Sequence, residues 1–590
     1  AEPLCALWLP STQWPSRLLE LAWLDMIRNA AHDSSCACSA DAVGTAVLHR
    51  YAEAEQIGAG LAARALERLA ETQARPGAIV INPSARRRSG LVELTVPGEG
   101  DIEGGQLLEN RPTVITDRVM SPGDTWSWML GFRSQRIDDA TYVNAVEIGE
   151  RDDAVELTLR CDDYLGENLL IDDVKAELNA RLAARPGTPL HLRVVQPPTR
   201  RILWHVEDVA GFGWRRWSDD RSAAPAVTAS TTTMSNSLVT VEIDESTATF
   251  ALNGTTGVAR IVDTGDHGDT YNFSPPDHDI TVDRPNHVDV GLLESGPLRA
   301  RIRMRATYGW PERIDDALRA RVGSTTTVVE TTLEVRAGEP FVRVHHAWNN
   351  QSRDHRVRAL VPLSAPATSS SAECALAVVD RGVHAEGGPT ERALATSFSR
   401  RFVRAGDVIV AHDGLLEYEL TDRCGRSVDP AASEAEAIAL TLLRATGMLS
   451  RVEMTYRPLP AGPPLAVNDA QRLGPVEASY AVCADGTLDP YALADAVLVP
   501  LQVAVGPGGG PQRADAGQAL CVEGVEVSAV VREAGQLVVR IFNPTDRPVT
   551  ARFEGRSGWV VDLLGRPASA FSETVPLGPW QIVTVRLAEA

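Results

Sequence analysis

His32 and Asp33 stand side by side where a run of apolar residues ends. An imidazole there can ligate a metal, and the carboxylate can accept a hydrogen bond from a hydroxyl. A capped helix end with a satisfied histidine would show the same pair. Other constellations are less specific. The acidic pairs Asp138-Asp139, Asp152-Asp153, Asp162-Asp163 and Asp172-Asp173 could supply the two carboxylates of acid/base chemistry. In a chain with 78 Asp and Glu against 57 Lys and Arg they read as solvated surface. His345 and His346 are neighbours, and in a strand neighbours point to opposite faces, so they cannot easily share one metal. The run from Gly58 to Ala63 mimics a dinucleotide fingerprint but lies inside a helical pattern, where that loop does not work. Neither a G-x-S-x-G elbow nor a G-x-x-x-x-G-K-[ST] phosphate loop occurs.

The elements that must hold His32 and Asp33 are helices. Leu18, Leu19, Ala22, Trp23, Met26 and Ile27 recur at helical spacing, with Pro15 suited to a first turn. A second helix is expected over about 40–71 through Val43, Val47, Tyr51, Ala54, Ile57, Leu61, Ala65 and Leu69, with Ser39 as its cap. The pair therefore sits at a helix-helix junction. After Ala74 short alternating runs such as 91–96, 239–243, 326–335 and 537–542 are separated by Gly, Pro and Asp, which predicts stacked β-sandwiches. Two stretches read as linkers: 219–237, rich in Ser, Thr and Ala, and 506–517, rich in Gly and Pro. The expected division is 1–75 helical, 76–235 β-sandwich, 236–505 a large β-domain and 506–590 a small C-terminal sandwich. No short repeat suggests a propeller or solenoid.

Several cores are needed for 590 residues, and the fold class expected is α+β, mainly β. A net charge of -21 argues against a nucleic-acid partner. No apolar run reaches the ~18 residues that span a bilayer, so no membrane is expected. Eight sparse cysteines point to reduced thiols and a cytoplasmic location. The chain starts at Ala1 without a basic leader and opens directly into a helical pattern, so a preceding segment is expected. Self-association into a homo-oligomer is left open.

The stretch from Trp23 to Ser39, an apolar helix ending in Asn29-Ala30-Ala31-His32-Asp33 and leading through small residues to a long helix, resembles glycoside hydrolase family 38 α-mannosidases. It departs from them at Ala37 and Cys38 or their neighbours, where that family typically has Gly-Thr, while the His-Asp pair is intact. Gly265-Asp266-His267-Gly268-Asp269-Thr270-Tyr271-Asn272-Phe273 is similar to the family's tyrosine-bearing loop. Similar segments follow in family order around Asn349-Asn350, Asp354-His355-Arg356, Val378-Val379-Asp380-Arg381, 414–419 and 440–447. The resemblance implies a retaining, zinc-dependent enzyme acting on a mannose-containing oligosaccharide or glycoside. It further implies an N-terminal β/α barrel, a helical bundle and β-domains that include a mutarotase-like supersandwich. Only the bundle and β parts are matched here. His32 matches the bundle ligand of Zn2+, Asp33 a residue that hydrogen-bonds mannose, Tyr271 a tyrosine of the same pocket, and Arg381 a pocket arginine. The nucleophile and the other zinc ligands are expected from a barrel in the same polypeptide or in a separate chain.

A retaining glycosidase needs two carboxyl groups ~5 Å apart, and zinc needs about four ligands, so this chain alone is expected to be inactive. Two other readings remain: a sugar epimerase using His345, His346 and Glu417, and a non-catalytic carbohydrate-binding subunit.

Overall fold

The computed structural model describes residues 1–588 apart from 139–140, 163–164, 167, 220–223, 386 and 389–390. Asp139 and Asp163, each the second member of an acidic pair, lie outside the described residues, as does part of the 219–237 stretch. The N-terminal region is helical. It comprises α1 (Glu2–Trp8), α2 (Ser16–Asn29), the single turn α3 (His32–Ser35) and the long α4 (Asp41–Glu71). Both expected helices are present, with Ala40 in place of Ser39 as the N-cap of α4.

Their apolar stripes are only partly used. Of the six apolar positions that mark α2, Leu19 alone is buried, while Trp23 is 51% and Ile27 65% exposed. In α4 the C-terminal half packs, with Leu61, Ala65 and Leu69 against α1 and the strand Gly77–Asn82. Val43, Leu48 and Tyr51, nearer its N-terminus, are exposed.

The remainder is mainly β. A four-stranded sheet orders Gln502–Gly506, Gly77–Asn82, Gly213–Arg216 and Ala516–Gln518, so the stretch composition marks as a linker begins and ends in strands of a sheet under α4. Its glycines permit close approach: a Cβ on Gly510 would stand 2.3 Å from the backbone of Thr72 at the end of α4.

Region 76–235 holds more than strands. A five-stranded sheet runs Val114–Met120, Leu190–Val195, Val155–Asp162, Thr141–Glu150, Arg136–Asp138. Two helices, α5 (Pro122–Gly131) and α6 (Ile171–Ala184), pack on it. The second is the crossover between the parallel strands Val155–Asp162 and Leu190–Val195. These helices depart from the all-sandwich expectation. Ile171, Val174, Leu178 and Leu182 have helical spacing, and Asp172 and Asp173 fill the first turn, where carboxylates favour a helix.

The largest core lies between two antiparallel sheets of residues 260–483. One has nine strands, from His287–Ser295 at one edge to Ala377–Gly382 at the other. The second orders Arg260–Gly265, His355–Ala367, Ala435–Ala445, Glu417–Thr421 and Thr396–Phe398. Alternation decides what faces in: Ala300, Ile302, Met304, Tyr308 and Trp310 are buried, and the odd-numbered arginines between them point out. A helix, α7 (Pro490–Leu498), then leads to the C-terminal sheet of residues 522–587. No helix among the described residues is long and apolar enough to cross a membrane.

Candidate functional site

The end of α2 is fixed by Asn29, which is buried. Its Nδ2 donates to the Val47 carbonyl at 3.0 Å, and Arg50 donates to its Oδ1, so the first residue of the Asn-x-x-His-Asp pattern locks α2 to α4. The chain then turns once through α3. Cys38 N–H donates to the Asp33 carbonyl at 3.0 Å, the Ser39 hydroxyl donates to the same oxygen at 2.8 Å, and Ala37 adopts φ +57 to close the turn. This leaves His32 turned to solvent, its side chain 90% exposed, with Nε2 3.1 Å from the half-exposed Asp33 carboxylate. The Cys38 thiol, itself buried, donates to Asp33 Oδ1 at 3.6 Å.

Tyr271 arrives from the opposite side, on a loop that two buried carboxylates fold. Asp266 accepts from the N–H groups of Gly268 (2.9 Å) and Ser274 (3.2 Å) and pairs with Arg444 Nε at 2.8 Å. Asp269 accepts from the N–H groups of Tyr271 (3.1 Å), Asn272 (3.0 Å) and Arg451 (2.8 Å), and Arg457 donates to it. These charges are buried with every oxygen in use, the condition under which such carboxylates are tolerated. The 349–356 segment supports the loop from beneath. His355 is held between Asp263 (2.6 Å) and Asn350 (3.1 Å), the Asp354 carbonyl accepts from Asp266 N–H at 2.9 Å, and the Arg356 guanidinium lies 3.7 Å from the Phe273 ring centre.

Helix junction and loop meet at Cys38. Its thiol and the Asp33 carboxylate lie close enough to the Tyr271 hydroxyl to act on its ionisation. Burial first, then the neighbouring Cys38, Asp33 and Asp269, push the Tyr271 phenol above its ordinary value, so it stays a neutral hydroxyl. Burial and the bond to Asp33 likewise raise the Cys38 thiol, which stays protonated and able to donate. Arg457 lies 5.8 Å from the Tyr271 ring centre. Gly462 leaves room for the hydroxyl, since a Cβ there would stand 2.8 Å from it. A second tie joins the bundle to the β part: the Asp41 carboxylate accepts from Asn468 N–H at 3.0 Å and Asp469 N–H at 3.3 Å.

His32, Asp33 and Tyr271 are thus brought to one place. Arg381 is not. It reaches Cys374 Sγ (3.3 Å), the Phe398 carbonyl (3.3 Å) and the Tyr418 hydroxyl (3.4 Å). Glu417 and Glu419, on either side of Tyr418 in the strand, point to the other face toward Arg356, which leads to the Tyr271 loop. His345, His346 and Glu417 do not converge either. His345 bonds Ser479 (2.9 Å) on the outer face of the nine-stranded sheet, His346 bonds Thr331 (2.8 Å) and Tyr480 (3.0 Å) inside, and Glu417 accepts from Thr441 (2.7 Å). Gly58 and Gly60 lie within α4, which removes the dinucleotide reading.

The donors present do not make a zinc site by themselves: no group of three His, Cys, Asp or Glu side chains suited to a metal occurs among the described residues. The parts missed in sequence are Cys38, Arg457 and Gly462. No local pattern marks any of the three.

No protein-family model matches the sequence, and no curated relative matches it. Solved structures do. An alpha-mannosidase from Enterococcus faecalis V583 superposes with a TM-score of 0.71 at 20% identity, over 99% of this chain and 65% of its own. A protein in the glycosyl hydrolase family 38 from Enterococcus faecalis gives 0.70 at 21%, over 99% of this chain and 68% of its own. The chain thus spans about two thirds of the length of each. Over nearly its whole length, this chain has the fold of those glycosyl hydrolase family 38 proteins, as the Asn29–Asp33 and Tyr271 segments led one to expect.

Proposed function

We propose that this chain is the helical-bundle and β portion of a retaining, zinc-dependent α-mannosidase acting on a mannose-containing oligosaccharide or glycoside, with residues 236–505 as a mutarotase-like supersandwich. The observation that supports it most is the meeting of Asp33 and Tyr271, from segments far apart in sequence, beside an exposed His32. Asp33 offers a half-exposed carboxylate to a sugar hydroxyl, and Tyr271 offers a neutral hydroxyl held by the Asp269 turn. These residues bind and orient the ring. His32 is the one zinc donor assigned here. The nucleophile, the acid/base and the remaining ligands belong to a further part, which we read as docking on the uncovered faces of α2 and α4. Arg381 has no place in this site. All eight cysteines are free thiols, which fits a reducing compartment, and the reading places the protein in the cytoplasm.

Turnover of an aryl α-mannoside together with metal analysis tests the proposal. The isolated chain is expected to hold no stoichiometric zinc and to show no turnover. Within the longer protein that this reading requires, hydrolysis is expected, and His32→Ala should lose most of both zinc and rate. Substantial turnover by the pure chain alone, or a His32→Ala enzyme that keeps its zinc and rate, overturns it.

A further inference from the structure

The outer face of the nine-stranded sheet carries rows of polar side chains, which on most sheets are simply solvated. Here part of that face is enclosed. The C-terminal turn of α7, through Val497 and Leu498, overhangs it and leaves a cavity of about 290 Å³. Thr332, His345 and Ser479 stand opposite one another on three adjacent strands and form one row of its floor. Arg301 and Glu334, also directly opposed, begin the next. Asp413 closes the end, its N–H 3.4 Å from the Ser479 carbonyl.

One wall is rigid. Arg343 spends its fork on both Glu339 oxygens (2.9 and 2.8 Å) and on the Ala496 and Val497 carbonyls (3.0 and 3.3 Å), which pins the overhang to the sheet. The other polar groups retain capacity. His345 uses Nδ1 on Ser479 and keeps Nε2. Arg301 Nε is enclosed without a hydrogen-bond partner among the described residues, because Glu334 Oε2 is 3.6 Å away. Two guanidiniums and two carboxylates line the cavity, so its formal charge is balanced.

We propose that this cavity binds a neutral, polyhydroxylated molecule of monosaccharide size. A carboxylate and an imidazole nitrogen accept hydroxyl hydrogens, while the guanidinium and the threonine hydroxyl donate to hydroxyl oxygens, a mixed set that suits a ring bearing several hydroxyls. Balanced charge favours a neutral ligand over an anion. The volume lies at the lower end for small-molecule sites, ~300 Å³, which suits a single ring. The site shares no residue with the Asp33–Tyr271 junction and does not depend on the mannosidase reading.

The test is saturation-transfer NMR and titration with D-mannose and myo-inositol as neutral probes, and D-gluconate and D-glucosamine as charged ones. Wild-type chain is expected to bind at least one neutral probe with a dissociation constant on the order of 1 mM, and the charged probes more weakly. Asp413→Asn and His345→Ala should each weaken binding about tenfold, the scale of one hydrogen bond to a charged or buried group. Leu498→Trp, which fills the cavity from above, should abolish it and provides a variant that leaves the polar floor intact. D-mannose binding that Leu498→Trp leaves unchanged belongs to the Asp33–Tyr271 junction and not to this cavity, so myo-inositol carries the comparison. Failure of both neutral probes to bind the wild type, wild-type affinity for myo-inositol in all three cavity variants, or preference for gluconate overturns the proposal.

Discussion

Cys38 lies between two residues that the chain brings from segments far apart in sequence. Its thiol donates to Asp33 and lies beside the Tyr271 hydroxyl, so a buried side chain stands between the two groups that would grip a sugar. Tyr271 is further confined by Gly462. If the longer protein is the α-mannosidase proposed above, Tyr271→Phe, which deletes only the hydroxyl, should keep the fold and lower its kcat/KM about threefold to a hundredfold, the range from a neutral hydrogen bond to one facing developing charge. Gly462→Ala should act in the same direction by a different route, since its methyl displaces the hydroxyl without removing it. Kinetic assays with melting curves check both. Unchanged rates in two correctly folded variants would reduce the β part to scaffold. His32, Asp33 and Tyr271 are singled out by the resemblance of their segments, since their residue types alone fit an ordinary helix end and an ordinary Gly- and Pro-rich turn. Arg457 and Gly462 are not, because they reach Tyr271 only through the tertiary fold.

Periodicity found α2 and α4 but not what covers them, which shows where sequence reasoning stops. A helical stripe says that apolar residues share a side; it does not say that this side is packed in this chain. In α2 the apolar residues run almost around the helix, with Leu18, Leu21, Trp23, Leu24 and Ile27 all exposed, a distribution typical of a helix enclosed on several sides. Burying a large apolar side chain contributes ~1.5–3 kcal/mol, so this face, beside His32, has a strong tendency to acquire a covering surface. The helices α5 and α6 are harder to read: α5 is only ten residues long, and α6 opens on the Asp172-Asp173 pair, which reads as solvated surface. The Gly-rich run 506–517 has the composition of a linker, yet its two ends lie in strands that pair with Gly77–Asn82 and Gly213–Arg216, partners hundreds of residues away. The state of α2 yields a direct expectation for the isolated chain. Ile27→Ser and Leu48→Ser should leave the melting temperature nearly unchanged, since exposed substitutions stay within ~0.5 kcal/mol, while lowering the binding of a hydrophobic dye. A fall of many degrees would mean that these side chains are packed in solution.

At the scale of the whole molecule, the large core sets the response to acid. His346 lies inside the nine-stranded sheet, bonded to Thr331 and Tyr480, and burial first, then its neighbour His345, lowers its pKa to about 3 from the ordinary 6.5. His412, buried against Ser399, is lowered by burial to about 4. Both are neutral in the folded protein and take up a proton only when it unfolds. Between the folded and unfolded values the unfolded chain therefore binds more protons, so stability is fully present above pH ~6.5 and is lost as the pH falls, by ~1.4 kcal/mol per pH unit for each histidine. For His346 the window runs from 6.5 down to about 3, and for His412 it closes near 4. Three carboxyls work against this trend. Asp279, Asp354 and Glu526 are pushed up by burial, so the folded state binds the extra proton there and gains stability as the pH falls through their range. They are common to any pair of proteins that differ only at His346, which makes the variant comparison clean. His346→Gln keeps a polar group between Thr331 and Tyr480 but cannot titrate. It should be less stable than wild type at pH 7, where the imidazole fits its site, and should lose less stability on going to pH 4.5, so that the two urea-unfolding curves draw together in acid. Parallel loss in both proteins would show that His346 is protonated in the folded state, or that water reaches it, and would remove the buried imidazole from the account of acid sensitivity.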